Sequence, residues 1–192
     1  MIDQLTAILK YLYPFTDEEL KIITSHFKPK TAKRNALLLR QSEVCKEFYF
    51  VSQGCIRTYF IDRKGAEKTR YIMPSNSIGT ALSSFIAQSP SFEFIDALND
   101  SELLAIGHRD FYRLNDEMPA WKVFYQKILE MAYSFQTRKI ESIVTLNAQQ
   151  RFNQALKETP ALIPMVSNRI LASYLDITPE TLSRLKKKKT TS

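Results

Sequence analysis

The sharpest chemical pattern in the sequence lies near its carboxyl end, where a helix beginning at Pro179 would have one polar and one apolar face. Glu180 and Arg184 fall on the polar face, and Leu182 and Leu185 fall on the opposite face. In the major groove of DNA, arginine can donate two hydrogen bonds to guanine, and glutamate can accept one from the cytosine amino group. These residues therefore predict a helix that reads base edges.

Two helices joined by a tight turn are expected to position this face. Ser167 caps the first helix, Asp176 and Ile177 turn the chain, and Thr178 is a favourable N-cap for the second. A helix-turn-helix of this kind places the start of its second helix in the major groove. The alternative is a plain helical hairpin with an exposed charged face. The residues predicted to contact DNA are Ser167, Asn168, Arg169, Thr178, Pro179, Glu180, Thr181, Ser183, Arg184, Lys187 and Lys188.

Positive charge is concentrated in the same region. The chain has 192 residues, of which 27 are Lys or Arg and 20 are Asp or Glu, giving a net charge of +7. Residues 146–192 hold eight basic and three acidic side chains, a net +5, which leaves +2 for residues 1–145. This asymmetry favours contact with a polyanion, nucleic acid above all. A basic tail that only aids solubility is the alternative.

The first part of the chain predicts an antiparallel β-domain. Two short helices are expected at residues 2–13 and 16–27, and a capping box opens the second. Residues 28–107 then contain about eight short segments rich in β-branched and aromatic residues, separated by turn signals. Residues 48–61 have the pattern of a hairpin, and a third strand is expected at 67–73. The spacing predicts a jelly roll or a closed barrel.

A long helix is expected to follow, with apolar residues at steps of three and four that are typical of a coiled-coil seam. We expect this helix at residues 118–146 to form a homodimer, with the β-domain at 1–117 and a helix-turn-helix domain at 147–192. An amphipathic helix packed on its own β-domain is the alternative. The predicted dimer interface is Trp121, Phe124, Ile128, Met131 and Phe135.

The composition argues against several other classes. Cys45 and Cys55 are too few for an iron–sulfur cluster and are expected to be free thiols. The only histidines, His26 and His108, are far apart, and the chain lacks a Gly-rich phosphate loop and a Gly-x-Ser-x-Gly elbow. We therefore predict no metal, no cofactor and no enzymatic activity. No apolar run approaches the roughly 18 residues of a membrane span, and the amino end lacks a signal sequence, so a cytoplasmic location is expected.

Three segments resemble the Crp/Fnr transcription regulators: the hairpin at residues 50–57, the pair Ile78 and Gly79, and residues 170–187. The resemblance implies an α+β fold with a cyclic-nucleotide-binding-like β-barrel, a dimerisation helix and a winged-helix-like helix-turn-helix. It also implies a homodimer on pseudo-palindromic double-stranded DNA, with a small-molecule effector and RNA polymerase as further partners. Two residues depart from the family pattern. Pro179 stands where an arginine is frequent, and Asp176 stands at a turn that commonly has glycine.

The resemblance also identifies a candidate ligand pocket in the barrel. Family members that bind cyclic AMP follow the glycine with a glutamate and place an Arg-Ser or Arg-Thr pair about ten residues later, whereas this chain has Thr80 and then Pro90-Ser91. A buried phosphodiester without a cation is strongly disfavoured, so we predict no useful affinity for cyclic AMP. The alternative function is a small-molecule-binding barrel whose basic tail does not touch DNA. The candidate pocket is Tyr71, Ile78, Gly79, Thr80, Ala81, Leu82, Pro90 and Ser91.

Overall fold

The computed structural model describes residues 1–190, with the side chains of the last helix described as far as Lys188. The chain forms two compact units. The first contains Met1–Phe60 and Tyr71–Leu129, and the second contains Ile61–Arg70 and Glu130–Ser192. The predicted division at residues 117 and 146 does not coincide with these units, because the long helix contributes to both and a hairpin tip belongs to the second. Residues 191 and 192 of the predicted 147–192 domain lie outside the described residues.

Along the chain, helices precede, interrupt and follow the strands of two β-sheets. The helices are α1 (Ile2–Leu12), α2 (Asp17–Ser25), α3 (Leu82–Ala87), α4 (His108–Glu117), α5 (Pro119–Thr145), α6 (Ala148–Glu158), α7 (Leu162–Met165), α8 (Asn168–Tyr174) and α9 (Pro179–Thr190). The strands are β1 (Lys28–Ala32), β2 (Leu37–Leu39), β3 (Glu47–Gln53), β4 (Cys55–Ile61), β5 (Glu67–Pro74), β6 (Ser77–Gly79), β7 (Phe94–Ala97) and β8 (Ser101–Gly107). The predicted α+β fold, with an antiparallel β-domain followed by helices, is confirmed.

The strands form two sheets of four, in the orders β1-β8-β3-β6 and β2-β7-β4-β5. Pairing is antiparallel between β3 and β8, where Phe48 lies opposite Ile106 and Phe50 opposite Leu104. All four side chains are buried in the core of the first unit. The turn between β3 and β4 requires Gly54, because its φ of +98° lies in the left-handed region and a Cβ there would overlap Ser101.

The start of α5 differs from the prediction. Trp121 and Phe124, expected at a dimer interface, are each 1% exposed and belong to the core of the first unit. The ring centroids of Phe124 and Phe15 lie 5.5 Å apart, and those of Trp121 and Phe111 lie 5.1 Å apart. The prediction is therefore wrong for these two residues, because their aromatic rings bury area against their own domain. Ile128 also packs, half-buried, against this core.

The second unit has its own small core. It is formed by residues of α6, α8 and α9 and of the segment that follows α8, and its buried members are Phe152, Ala155, Leu171, Ala172, Leu175, Leu182 and Leu185. Asn147 caps α6 by accepting a hydrogen bond from the backbone N–H of Gln150, whose side chain accepts one in return. This core fixes α8 and α9 against each other. Among the described helices, none is long and apolar enough to cross a membrane.

Candidate nucleic-acid interface

Helices α8 and α9 begin where the sequence predicts, and each is capped as expected. Ser167 Oγ accepts a hydrogen bond from the backbone N–H of Ile170 at 3.3 Å. Thr178 Oγ1 accepts one from the backbone N–H of Thr181 at 3.2 Å. Pro179 occupies the first position of α9, where the missing N–H has no helical partner to lose. The first two residues of each helix are exposed.

The turn between the helices is held from two sides. Asp176 has a φ of 52°, a left-handed conformation that the turn requires and that aspartate tolerates better than most residues. The backbone N–H of Ile177 donates to the carbonyl oxygen of Ala172 at 3.0 Å. From α6, the guanidinium of Arg151 donates to the carbonyl oxygens of Leu175 at 2.9 Å and Asp176 at 3.1 Å. Arg151 thus fixes the turn, and no sequence motif marks it because its partners are backbone atoms.

Helix α9 has the two faces that its sequence predicts. Leu182 is fully buried and Leu185 is 9% exposed, and both belong to the core of the second unit. Glu180, Ser183 and Arg184 are exposed on the other side. The apolar face therefore anchors the helix, and the polar face is open to a ligand.

Hydrogen bonds between neighbouring side chains organise this polar face. Thr181 Oγ1 lies 3.1 Å from Thr178 Oγ1 and accepts a hydrogen bond from Nη2 of Arg184 at 3.3 Å. Hydrogen bonding to the backbone at the helix start, with help from Thr178 and Arg184, lowers the pKa of Glu180. The face therefore presents an ionised carboxylate and an oriented guanidinium side by side.

Residues at the start of α8 have polar partners within the same unit. Asn168 Oδ1 accepts a hydrogen bond from Lys186 Nζ of α9 at 2.6 Å. Arg169 Nη2 lies 3.8 Å from Glu67 Oε1 on the hairpin that joins β4 and β5. Both Asn168 and Arg169 remain exposed. The amino end of α8 and the later part of α9 thus contribute to one polar surface.

The structure brings the predicted DNA-contacting residues together in the second unit. They occupy the N-cap and first residues of α8 and the length of α9 as far as Lys188. Thr181 is half-buried and the other residues are exposed. Lysines 187 and 188 extend the positive charge of this surface along α9. A surface of this composition can contact both phosphates and base edges.

Side chains of the first unit lie close to Gly79, at one end of the candidate ligand pocket. A Cβ on Gly79 would lie 2.6 Å from Met73 Sδ and 3.5 Å from Tyr71 Cε1, so these side chains fill the space beside the glycine. Thr80 Oγ1 donates to the carbonyl oxygen of Glu47 at 2.7 Å. Ala81 is fully buried in the core. The backbone next to Gly79 is therefore covered by side chains of the same domain.

The other end of the candidate pocket is also committed to internal contacts. Ser91 Oγ donates to the carbonyl oxygen of Glu93 at 2.9 Å and accepts from its backbone N–H at 3.0 Å. Pro90 is exposed, whereas Ile78 and Leu82 are half-buried. Neither Pro90 nor Ser91 supplies a positive charge. The predicted pocket residues therefore lie on neighbouring segments but do not form a site with a cation for a phosphate.

A buried cation does exist on the strands of the first unit, but it has a partner. Arg57 of β4 lies opposite Asp96 of β7. Its Nε and Nη2 donate to the two carboxylate oxygens at 2.9 and 3.0 Å, and its guanidinium carbon lies 4.1 Å from the ring centroid of Tyr59. The side chains of Arg57 and Asp96 are 5% and 12% exposed. The charge of Arg57 is thus neutralised inside the domain.

Comparisons with known proteins agree with this architecture. The family profile described as "Cyclic nucleotide-binding domain" matches residues 29–117. No curated protein matches the chain. Among solved structures, FixK2 from Bradyrhizobium japonicum is similar with a TM-score of 0.75 and 14% identity, over 86% of this chain and 85% of that one.

Two further solved structures extend the comparison. The c-di-GMP-responsive global regulator CLP of Xanthomonas campestris has a TM-score of 0.70 and 16% identity, over 92% of each chain. A protein from Eubacterium rectale assigned to the Crp/Fnr family of transcriptional regulators has a TM-score of 0.70 and 18% identity, over 93% of this chain and 85% of that one. Residues 29–117 therefore match a cyclic nucleotide-binding domain, and the chain as a whole shares the fold of these solved structures.

Proposed function

We propose that the chain is a sequence-specific DNA-binding transcription regulator that acts as a homodimer in the cytoplasm and does not respond to cyclic AMP. The observation that carries the proposal is helix α9, whose apolar side is anchored in the core while Glu180, Ser183 and Arg184 are exposed. A merely solubilising tail would not need a capped helix, a fixed turn and an oriented arginine. The proposal includes no catalytic activity.

Each group has its own role in the proposed binding of DNA. Arg184 reads a guanine through two hydrogen bonds, and Glu180 accepts from a cytosine amino group. Ser167, Asn168 and Arg169, which are exposed at the start of α8, contact the phosphates of the DNA backbone. Lys187 and Lys188 contribute charge that is independent of sequence. Pro179 offers no side-chain donor, so its position does not select a base.

The dimer is proposed to form along the later part of α5. Within the second unit this helix exposes Tyr133, Ile140 and Val144, which are 76%, 62% and 77% exposed and recur at steps of seven and four. Their spacing places them on one face, and the same face of a second copy is the occupant that would cover it. This face differs from the predicted interface, because Met131 and Phe135 each lie two residues from Tyr133 and thus on the other side of α5, where Met131 is exposed and Phe135 is half-buried. Two recognition helices would then meet half-sites about 10 base pairs apart.

The absence of a cyclic AMP response is proposed from the first unit. Met73 and Tyr71 fill the space beside Gly79, and Arg57 is paired with Asp96. A cyclic phosphate would therefore enter without a cation and against Met73. In a calorimetric titration we expect no binding of cyclic AMP at micromolar concentrations, and micromolar binding would overturn this part of the proposal. A different small-molecule effector and RNA polymerase remain partners that the resemblance implies.

Selection of bound DNA from a random pool tests the function. We expect enrichment of a pseudo-palindrome with half-sites about 10 base pairs apart. A control selection uses the Arg184→Ala and Glu180→Ala double variant, which keeps the basic run of α9 but lacks the proposed base contacts. Enrichment of the same sequence by the double variant would contradict base reading by α9. Absence of any enriched sequence with the wild-type chain would contradict the function itself.

A further inference from the structure

The hairpin tip at Ile61–Arg70 belongs to the same compact unit as the helix-turn-helix. It contacts α8 through backbone groups. Ser173 Oγ accepts a hydrogen bond from the backbone N–H of Thr69 at 2.7 Å and donates to the carbonyl oxygen of Glu67 at 2.8 Å. It also lies 3.1 Å from Thr69 Oγ1. One serine of α8 is therefore held by three groups of β5, the edge strand of its sheet.

A lysine of α5 closes the same contact from another direction. Lys139 Nζ donates to the carbonyl oxygens of Thr69 at 3.0 Å and Arg70 at 2.7 Å. The same ammonium lies 4.2 Å from the ring centroid of Tyr174, the last residue of α8. Lys139 thus joins three segments of the unit: α5, the hairpin tip and α8. We call the contacts made by Ser173 and Lys139 with the hairpin tip the latch.

Two charge pairs flank the latch. Lys68 Nζ lies 2.7 Å from Asp176 Oδ1, at the turn that leads into α9. Glu67 Oε1 lies 3.8 Å from Nη2 of Arg169, which is one of the residues predicted to contact DNA. The hairpin tip therefore presents a carboxylate to a cation that a DNA phosphate would otherwise bind. A phosphate at Arg169 would also be repelled by Glu67.

Resting on the proposed function, we infer that the latch is an autoinhibitory contact, in which the hairpin tip restrains α8 and competes with DNA for Arg169. Closed, it ties the end of α8 to the hairpin tip, and Glu67 lies beside Arg169 of the proposed phosphate-contacting surface. DNA must displace Glu67 from Arg169, and any shift of α8 on the DNA must break its hydrogen bonds to the hairpin tip. Opening the latch removes both costs, so variants that cannot close it bind DNA more tightly.

The test measures DNA affinity by fluorescence anisotropy with the full chain and the duplex enriched from the random pool. Two variants open the latch, Ser173→Ala and Lys139→Met, and Glu67→Gln removes the flanking carboxylate charge from Arg169. Loss of one or two hydrogen bonds should raise the affinity about two- to tenfold. The matched controls are Lys157→Met and Glu158→Gln, on exposed positions of α6 in the same unit, which change charge equally without touching the hairpin tip.

Hydrogen exchange at the Thr69 amide reports the latch without DNA. It should be protected in the wild-type chain and exchange faster in Ser173→Ala, while the controls keep the protection. If the amide loses protection but DNA affinity is unchanged or weaker, the autoinhibitory role is wrong while DNA binding stands. If the Thr69 amide is already unprotected in the wild-type chain, the latch itself is wrong. If neither the wild type nor any variant selects a DNA sequence, the proposed function fails, and autoinhibition with it.

Discussion

The two units of the molecule use arginine in opposite ways. In the first unit, the side chain of Arg57 is 5% exposed, and its Nε and Nη2 donate to the carboxylate of Asp96. In the second unit, Arg184 is exposed, and its Nη2 donates a hydrogen bond to the hydroxyl of Thr181. The same side chain is thus a structural element in one domain and an available donor in the other.

The difference between the two arginines lies in what each must give up to bind an anion. A guanidinium that is already paired in a buried site cannot bind a phosphate without leaving a carboxylate unpaired. A guanidinium held on a helix surface by one neutral hydroxyl can exchange that partner for a base at little cost. The β-domain matches a cyclic nucleotide-binding domain but pairs its buried Arg57 internally, whereas Arg184 of the helical unit is exposed.

The largest expected effect is on the free energy of unfolding, when the buried pair of Arg57 and Asp96 is broken. Arg57→Met leaves Asp96 buried without its partner, so we expect the free energy of unfolding to fall by about 3–5 kcal/mol. Chemical denaturation monitored by the fluorescence of Trp121, which lies in the same core, measures it. The control is Lys33→Met, which removes an exposed pair with Asp100 and should change stability little. Equal losses in both variants would contradict the distinction between buried and exposed cations.

The next effect concerns Lys139 of α5, whose ionisation is governed by burial. Burial, with the nearby charge of Arg70, lowers the pKa of Lys139 to about 8, against the attraction of Asp176. Between about pH 8 and 10.5 the unfolded chain holds this proton and the folded chain does not, so stability rises with pH in that window, by on the order of 3 kcal/mol. Urea denaturation at pH 7.5, 9 and 10.5 should show this rise for the wild type but not for Lys139→Met.

A variant of the exposed arginine sharpens the comparison at the DNA interface. Arg184→Ala should cost about 1–3 kcal/mol of binding free energy at one base position in each half-site and should relax the preference there. Competition binding with single-base variants of the selected duplex measures this cost. Arg184→Lys serves as the control, because it keeps the charge but loses the paired donors. Equal weakening on all duplexes would show that Arg184 contacts a phosphate.

The smallest effect belongs to the lysines beyond it. Lys187→Ala or Lys188→Ala should weaken binding to all sequences by a similar factor and lower the slope of log affinity against log salt by about 1. Titrations at several salt concentrations on specific and random duplexes give that slope. A loss confined to one base position would contradict the assignment of these lysines to the DNA backbone.

The start of α9, the second helix of the helix-turn-helix, could be predicted from the sequence because its signals are local. Thr178 and Pro179 mark the first turn of α9, and the spacing of Leu182 and Leu185 marks its buried side. The absence of a cation after Gly79 could also be predicted by counting along the chain. Each of these inferences depends on residues within one element or one loop.

Other features depend on distant backbone or on a choice between partners that a pattern cannot make. The steps of three and four through Trp121 and Phe124 indicate a buried stripe, but they do not say which surface buries it, and here it is the protein's own core. Arg151 and Lys139 bind backbone carbonyl oxygens of remote segments, and any residue there supplies such an oxygen. Both residues therefore lack a signal in the sequence.

The central claim is that the second unit binds a specific DNA sequence through α9. The most direct test compares the affinity of the full chain for the selected duplex with that for a shuffled duplex of the same composition, across a range of salt concentrations. We predict that the selected duplex binds at least about a thousandfold more tightly and that both affinities fall steeply as salt rises. Equal affinity for the two duplexes at every salt concentration would contradict the claim.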